Sequence, residues 1–221
     1  MVFIHGGGFV DGSATSDIYG PEKLLIKDII LVTLHYRLGF LGFASLDDKD
    51  FAGNYGLKDQ SLALKWVKNN IAKFGGDANK ITLVGESAGA ASAHYQVLSK
   101  HSQVDDSTTE LLECLRKVDA TEFLKHNKKF QTLYSDIYFL NGTKETIKRH
   151  RGDKYLYKFG YEGSFSISQL ISGDPTSKNG ACHADDLLYL FPMKPFVAKR
   201  VGNETDKDKE ISARDVDLEL T

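Results

Sequence analysis

A chain of 221 residues with 41% hydrophobic and 26% charged content is long enough to bury one ordinary core. A formal charge of -2 offers nothing to attract nucleic acid or an anionic membrane surface, and no apolar run reaches the length of a transmembrane helix. Two cysteines, Cys114 and Cys182, are too few for a disulfide framework and lack metal-ligand spacing, so they read as free thiols, and neither metal nor cofactor is expected.

The chain opens on Val2-Phe-Ile-His-Gly-Gly-Gly-Phe9, an apolar strand running into three glycines, with no signal-peptide pattern before it. The compartment stays undetermined, the cytoplasm being favoured, and the triplets at Asn141 and Asn203 would accept glycans only in a secreted chain. No Lys-Ser/Thr pair follows the glycines, so a phosphate cradle is excluded. Glycine amides can instead point at a developing negative oxygen, and H-G-G-G is the form such an oxyanion loop takes in lipases and esterases; the bland alternative is a flexible turn. Residues 29–34 form a continuous β-rich run expected to be a central strand buried on both faces. Arg37 behind it reads as a buried ion-pair partner. A helix opens near Gly56, with Leu64, Val67, Ile71 and Phe74 at steps of three and four, and Gly75-Gly76 stops it. Trp66 on that helix is expected in the core.

Residues 81–84 read as a buried strand feeding Gly85-Glu86-Ser87-Ala88-Gly89, after which Ala88, Ala90, Ala91 and Ala93 mark a helix able to pack closely on a sheet. The pentapeptide is a G-x-S-x-G, the pattern of a nucleophile elbow. It holds a serine on a strained strand-to-helix turn and keeps side chains out of the flanking positions. Strand, glycine loop, strand, helix, strand, elbow and helix together spell an α/β fold with a doubly wound, mostly parallel sheet.

Residues 1 to about 100 resemble the central part of the carboxylesterase/cholinesterase family, the type-B carboxylesterases of the α/β-hydrolase fold, and within it insect α-esterases. The likeness rests on His5-Gly-Gly-Gly-Phe9, Tyr36-Arg37-Leu-Gly39, Gly53-Asn54, Gly56-Leu-Lys-Asp59-Gln60, Trp66-Val67, Asn70-Ile71, Phe74-Gly-Gly-Asp77 and the elbow. It implies Ser87 as nucleophile, the amides of Gly7, Gly8 and Ala88 as the oxyanion hole, and Glu86 with Arg37 in a buried polar network behind the site. The partner it implies is a small-molecule carboxylic ester.

Beyond residue 100, Ser107 with Glu110 forms a capping box before a short amphipathic helix, and a second helix is expected from Thr121. Residues 155–159 alternate like a strand. Asn179-Gly-Ala-Cys-His-Ala-Asp-Asp-Leu187 resembles the family's catalytic-histidine loop, which makes His183 the general base, and it also fits the chain order serine, acid, histidine. Few residues remain between Ser87 and His183 for the strand that carries the family's acid. That acid is therefore expected to be deleted, with Glu162 in Gly160-Tyr-Glu-Gly-Ser-Phe165 its one weak local match. The shortened sheet would close by pairing residues 155–159 with 81–84, or leave that edge open.

The organisation expected is one shortened domain over residues 1–200, its core in 1–100 and a remnant with the histidine loop in 101–200, followed by a polar, disordered tail over 201–221. Two functions fit it: an ester hydrolase working through an acyl-serine and impaired by the missing acid, or a hydrolase-like chain without turnover that binds a ligand or folds poorly. The oligomeric state is left open.

Overall fold

The computed structural model describes residues 1–44, 53–99, 143–144, 147–148, 152–178, 180–197 and 203–219. The chain divides into two compact units, residues 1–102 with 159–221, and residues 103–158. The helices expected from Ser107 and Thr121, together with Cys114 and Asn141, lie outside the described residues.

The first unit is built on three parallel strands, β1 (Val2–Ile4), β2 (Val32–Leu34) and β3 (Leu83–Gly85), in the order β2-β1-β3. Phe3 sits opposite Thr33 on one side and Val84 on the other. Between β2 and β3 run α1 (Gly39–Phe43) and α2 (Tyr55–Asn70), the latter extended by a 3-10 turn, Ile71–Phe74. After β3 come α3 (Ala88–Ser99), α4 (Ile167–Ser172), α5 (Leu187–Leu190), α6 (Lys194–Val197) and α7 (Asp206–Glu219). The central strand of the described sheet is thus β1 and not the run over 29–34. All three residues of β1 are buried, whereas Val32 and Thr33 of β2 are half-buried.

The two-residue period of β1 splits the core in two. Val2 and Ile4 face Leu34, Tyr36, Val67 and Ile71, the buried side of α2. Phe3 faces the other way, where its ring meets Tyr19 and Phe191 at 4.8 Å each, and that cluster reaches α5 and Val216 of α7. Between α2 and α3 runs a polar seam in which the buried Gln60 amide donates to Ser92 Oγ at 3.0 Å and accepts from Gln96 at 3.3 Å.

Three further expectations change. Trp66 is 52% exposed and leans at a tilt on Phe74, which is 62% exposed, their centroids 6.1 Å apart. The buried stripe of α2 therefore runs through Val67 and Ile71 and leaves both rings outside. Residues 155–159 form no strand, and Tyr155 and Leu156 are exposed. Among the described residues β3 pairs with β1 alone, so of the two closures expected it is the open edge that is found. The tail, expected to be disordered, holds α7. Its first turn is capped reciprocally: the Thr205 amide donates to Asp208 Oδ2 at 2.8 Å and the Asp208 amide donates to Thr205 Oγ1 at 3.1 Å. Asp208, Ile211, Ser212 and Val216 form the inward face, and because half of it is polar the sequence reads as solvated.

Candidate functional site

Ser87 has φ 52°, a left-handed conformation uncommon for a residue with a side chain, between the end of β3 and the start of α3. The turn holds because three backbones meet around it. A Cβ on Gly85 would overlap the Gly89 carbonyl, and one on Gly89 would overlap the Ile4 carbonyl and come within 2.8 Å of His5 O. Gly6 closes the group: a Cβ there would overlap the Glu86 carboxylate and lie 3.0 Å from Ser87 Cβ. The glycine loop after β1 and the elbow after β3 are therefore in contact, as neighbours on adjacent strands.

In that loop Gly7 and Gly8 take φ 104° and 60°, and the Gly7 carbonyl accepts from the Val10 and Asp11 amides at 3.1 and 3.0 Å. Among the described residues no acceptor meets the amides of Gly7, Gly8 or Ala88. Nor does any described side chain or backbone group hydrogen-bond Ser87 Oγ, although the Ser87 carbonyl accepts from Ala91 at 3.1 Å.

His5 is buried, stacks on Tyr36 at 4.5 Å, and shares its Nδ1 proton with the Gly6 carbonyl at 2.8 Å. Burial lowers its pKa, and Nε2, which then carries the lone pair, has no hydrogen-bond partner among the described residues. Tyr36 donates to His5 O at 3.0 Å. Tyr19 and Tyr36 are both pushed up to about 12, by burial first and by the Glu86 charge second. Their place beside Glu86 has no signal in the sequence, because it arises from packing across the sheet.

The histidine loop is anchored by Asp185. This buried carboxylate accepts from Ser166 Oγ at 2.8 Å, the Ile167 amide at 2.6 Å and the Cys182 amide at 2.8 Å, tying the loop to the start of α4. His183 lies two residues before it, and its Nε2 meets Glu86 Oε1 at 2.9 Å. That bond, ahead of the opposing effect of partial burial, raises the His183 pKa above its ordinary value of 6.5. Glu162 meets the loop elsewhere: its Oε1 accepts the Gly180 amide at 3.2 Å.

The network expected behind the site is divided. Glu86 serves His183, whereas Arg37 forms a two-pronged pair with Asp59, Nε to Oδ2 and Nη2 to Oδ1 at 2.7 Å each, beside the Tyr55 ring. Arg37 is an ion-pair partner, but its side chain is 52% exposed and not buried. Asp59, 26% exposed on the first turns of α2, holds the guanidinium at the surface. Among the described residues no cluster of His, Cys, Asp or Glu could hold a metal ion, and no helix is long and apolar enough to cross a membrane.

A model of the carboxylesterase family matches residues 1–108 and 107–218. Esterase B1 of Culex pipiens is 50% identical over 105 residues, 47% of this chain and 19% of that protein. Juvenile hormone esterase of Tribolium castaneum is 52% identical over 103 residues, 47% of this chain and 18% of its own length. The match thus spans about a fifth of the length of these curated relatives. The solved structure of juvenile hormone esterase from Manduca sexta, with OTFP covalently attached, is similar at a TM-score of 0.72 and 23% identity, covering 97% of this chain and 69% of that one.

Proposed function

The chain belongs to the carboxylesterase family and has a partial α/β-hydrolase fold, and on that premise we propose that it hydrolyses a small-molecule carboxylic ester through an acyl-serine on Ser87. The observation that carries this reading is the left-handed Ser87 held by the close approach of Gly6, Gly85 and Gly89. Such a turn costs on the order of 1–3 kcal/mol and lifts the hydroxyl clear of strand and helix. Ser87 Oγ attacks the acyl carbon as His183 takes its proton, and the amides of Gly7, Gly8 and Ala88, which meet no acceptor among the described residues, receive the oxyanion. The proton passes to the leaving alcohol, and water then releases the acid by the reverse path. Glu162, bonded to loop backbone, does not fill the place of the acid, and the reaction runs below the rate of a full triad.

A second reading, a hydrolase-like binder without turnover, is favoured by one observation: no described group hydrogen-bonds Ser87 Oγ. A labelled fluorophosphonate separates the two. An esterase forms a stable adduct at Ser87, lost in Ser87→Ala and after denaturation; a folded chain that fails to label is a binder.

A further inference from the structure

His5 fills a place that phenylalanine would fill with no unsatisfied atom. It is 1% exposed just past β1, and its ring stacks on Tyr36 at 4.5 Å. A ring needed only for that stack would carry no polar nitrogen, yet here Nε2 is buried without a hydrogen-bond partner among the described residues. An orphaned buried acceptor opposes folding, so packing alone gives no reason for an imidazole. The other nitrogen supplies one. Nδ1 lies 2.8 Å from the Gly6 carbonyl oxygen, which can only accept, so Nδ1 carries the proton. Gly12 folds back over this bond, and a Cβ there would overlap both His5 Nδ1 and Gly6 O.

The carbonyl and the N–H of one trans peptide point in opposite directions. Holding Gly6 O against the His5 ring therefore turns the Gly7 N–H to the other side, where it meets no acceptor among the described residues. The next peptide is fixed in the same way: Gly7 O accepts from the Val10 and Asp11 amides at 3.1 and 3.0 Å, which turns the Gly8 N–H away from them. Both peptides join glycines, which tolerate either sign of φ, so without these anchors each would rotate easily. Gly6 also lies against the elbow: a Cβ on it would come within 3.0 Å of Ser87 Cβ and 2.9 Å of Glu86 O. The peptide that His5 holds is thus set against the turn that carries the nucleophile.

We propose that His5 is a positioning residue for the oxyanion loop: by donating Nδ1–H to Gly6 O it locks the Gly6–Gly7 peptide, with the Gly7 N–H facing away from the ring as a donor. This deepens the acyl-serine reading and rests on it for what that donor receives. His5 moves no proton in the reaction and acts only through the peptide it holds. Burial keeps its pKa below the ordinary value of 6.5, so the ring is neutral at pH 7 and its tautomer can be read there.

The test pairs two variants that exchange one property for the other. His5→Phe keeps the stack on Tyr36 and loses the donor, whereas His5→Asn loses the stack and keeps a donor, its Nδ2 standing where Nδ1 stood. A packing role alone puts His5→Phe ahead in both thermal stability and fluorophosphonate labelling of Ser87. The positioning role crosses the two orders. His5→Phe should melt higher than His5→Asn yet label about 100-fold more slowly than the unaltered chain, the loss that follows removal of one oxyanion donor, and His5→Asn should recover most of that rate. Nitrogen-15 NMR of the histidine-labelled full chain at pH 7, with His5→Phe to assign the resonance, should show His5 protonated on Nδ1. A neutral His5 with its proton on Nε2, or folded variants in which His5→Phe labels at the unaltered rate or faster than His5→Asn, overturns the proposal. The tautomer is read on the unaltered chain, so it decides even if a variant folds poorly. If His5 carries its proton on Nδ1 but Ser87 of the unaltered chain does not label, the acyl-serine reading fails alone. If Ser87 labels while the tautomer or the order of the variants is wrong, the role of His5 fails alone.

Discussion

Replacing Gly89 by alanine sets two effects against each other. Alanine is the better helix former by about 1 kcal/mol, so a surface position in α3 would gain from it. At Gly89, however, the added methyl would overlap the Ile4 carbonyl and lie 2.7 Å from its carbon and 2.8 Å from His5 O. Both neighbours are backbone of β1, pinned by β2 and β3, and cannot swing away as a flexible side chain would. Restoring a contact of about 3.4 Å asks α3 to move by more than about 1 Å, and overpacking of this kind costs about 1–3 kcal/mol or more. A net loss of about 2 kcal/mol in a domain of this size lowers Tm by roughly 4–8 °C. Because Ser87 opens the same helix, a displacement of that size also slows fluorophosphonate labelling by about 100-fold. Thermal melts and labelling rates of Gly89→Ala are compared with Gly160→Ala, where a Cβ meets nothing within 4 Å. If Gly89→Ala melts within about 2 °C of the unaltered chain and labels at an unchanged rate, close approach of helix and strand is not what holds the elbow.

Three further outcomes follow from the same geometry. Ser87→Gly should abolish labelling yet raise stability by about 1 kcal/mol, measured by urea denaturation, because glycine takes φ 52° without strain. Burial alone would raise the Asp208 carboxyl, but donors from Thr205 and Ser164 outweigh it and hold the group well below the usual carboxylate range; Asp208→Asn should cost roughly 3 kcal/mol, since an amide cannot accept from the Thr205 amide where its own N–H₂ lies. The stability from Asp208 is full above its ordinary pKa and lost as pH falls below it, so the deficit of the variant shrinks in acid. His5 is lowered by burial, so the unfolded chain binds the extra proton first and stability should fall as pH drops below about 6.5. Urea midpoints at pH 7 and 5 should lie closer together in His5→Phe, which keeps the stack on Tyr36 and removes the titrating ring nitrogen.

The legible parts of this molecule are those where one short stretch carries its own constraint. Gly85 and Gly89 spell a close approach through their spacing, and Gly6 to Gly8 announce a loop that must admit other atoms. Both are found packed together on adjacent strands. The parallel sheet is readable from the order of apolar runs, but which run is central is not, because both runs are short and mostly apolar and differ in what lies beside them. Trp66 and Val67 are neighbours in sequence, and the helical twist alone decides that Val67 faces the core. Residues 155–159 alternate as a strand does, yet alternation forms no ladder without a partner edge. The charged run after residue 205 hides a capping pair and an inward face half made of Asp and Ser. The bond between Glu86 and His183 spans almost a hundred positions and leaves no local trace.

The contact of Phe3 with Phe191 has a consequence for how the chain is made. Phe3 packs its ring on Phe191, 188 positions later in the chain, and Val216 joins the same cluster. At about 5–20 residues per second, β1 waits roughly 10–40 s for that face to be covered. The opposite face, closed by Val67 and Ile71, is complete much sooner. Synthesis therefore passes through a half-sided intermediate with Phe3 and Tyr19 bare to solvent or to chaperones. Such a long-range closure slows folding even after release. Co-expression with a holdase, or synthesis at lower temperature, should raise the soluble yield of this chain more than any single stabilising substitution in its first hundred residues.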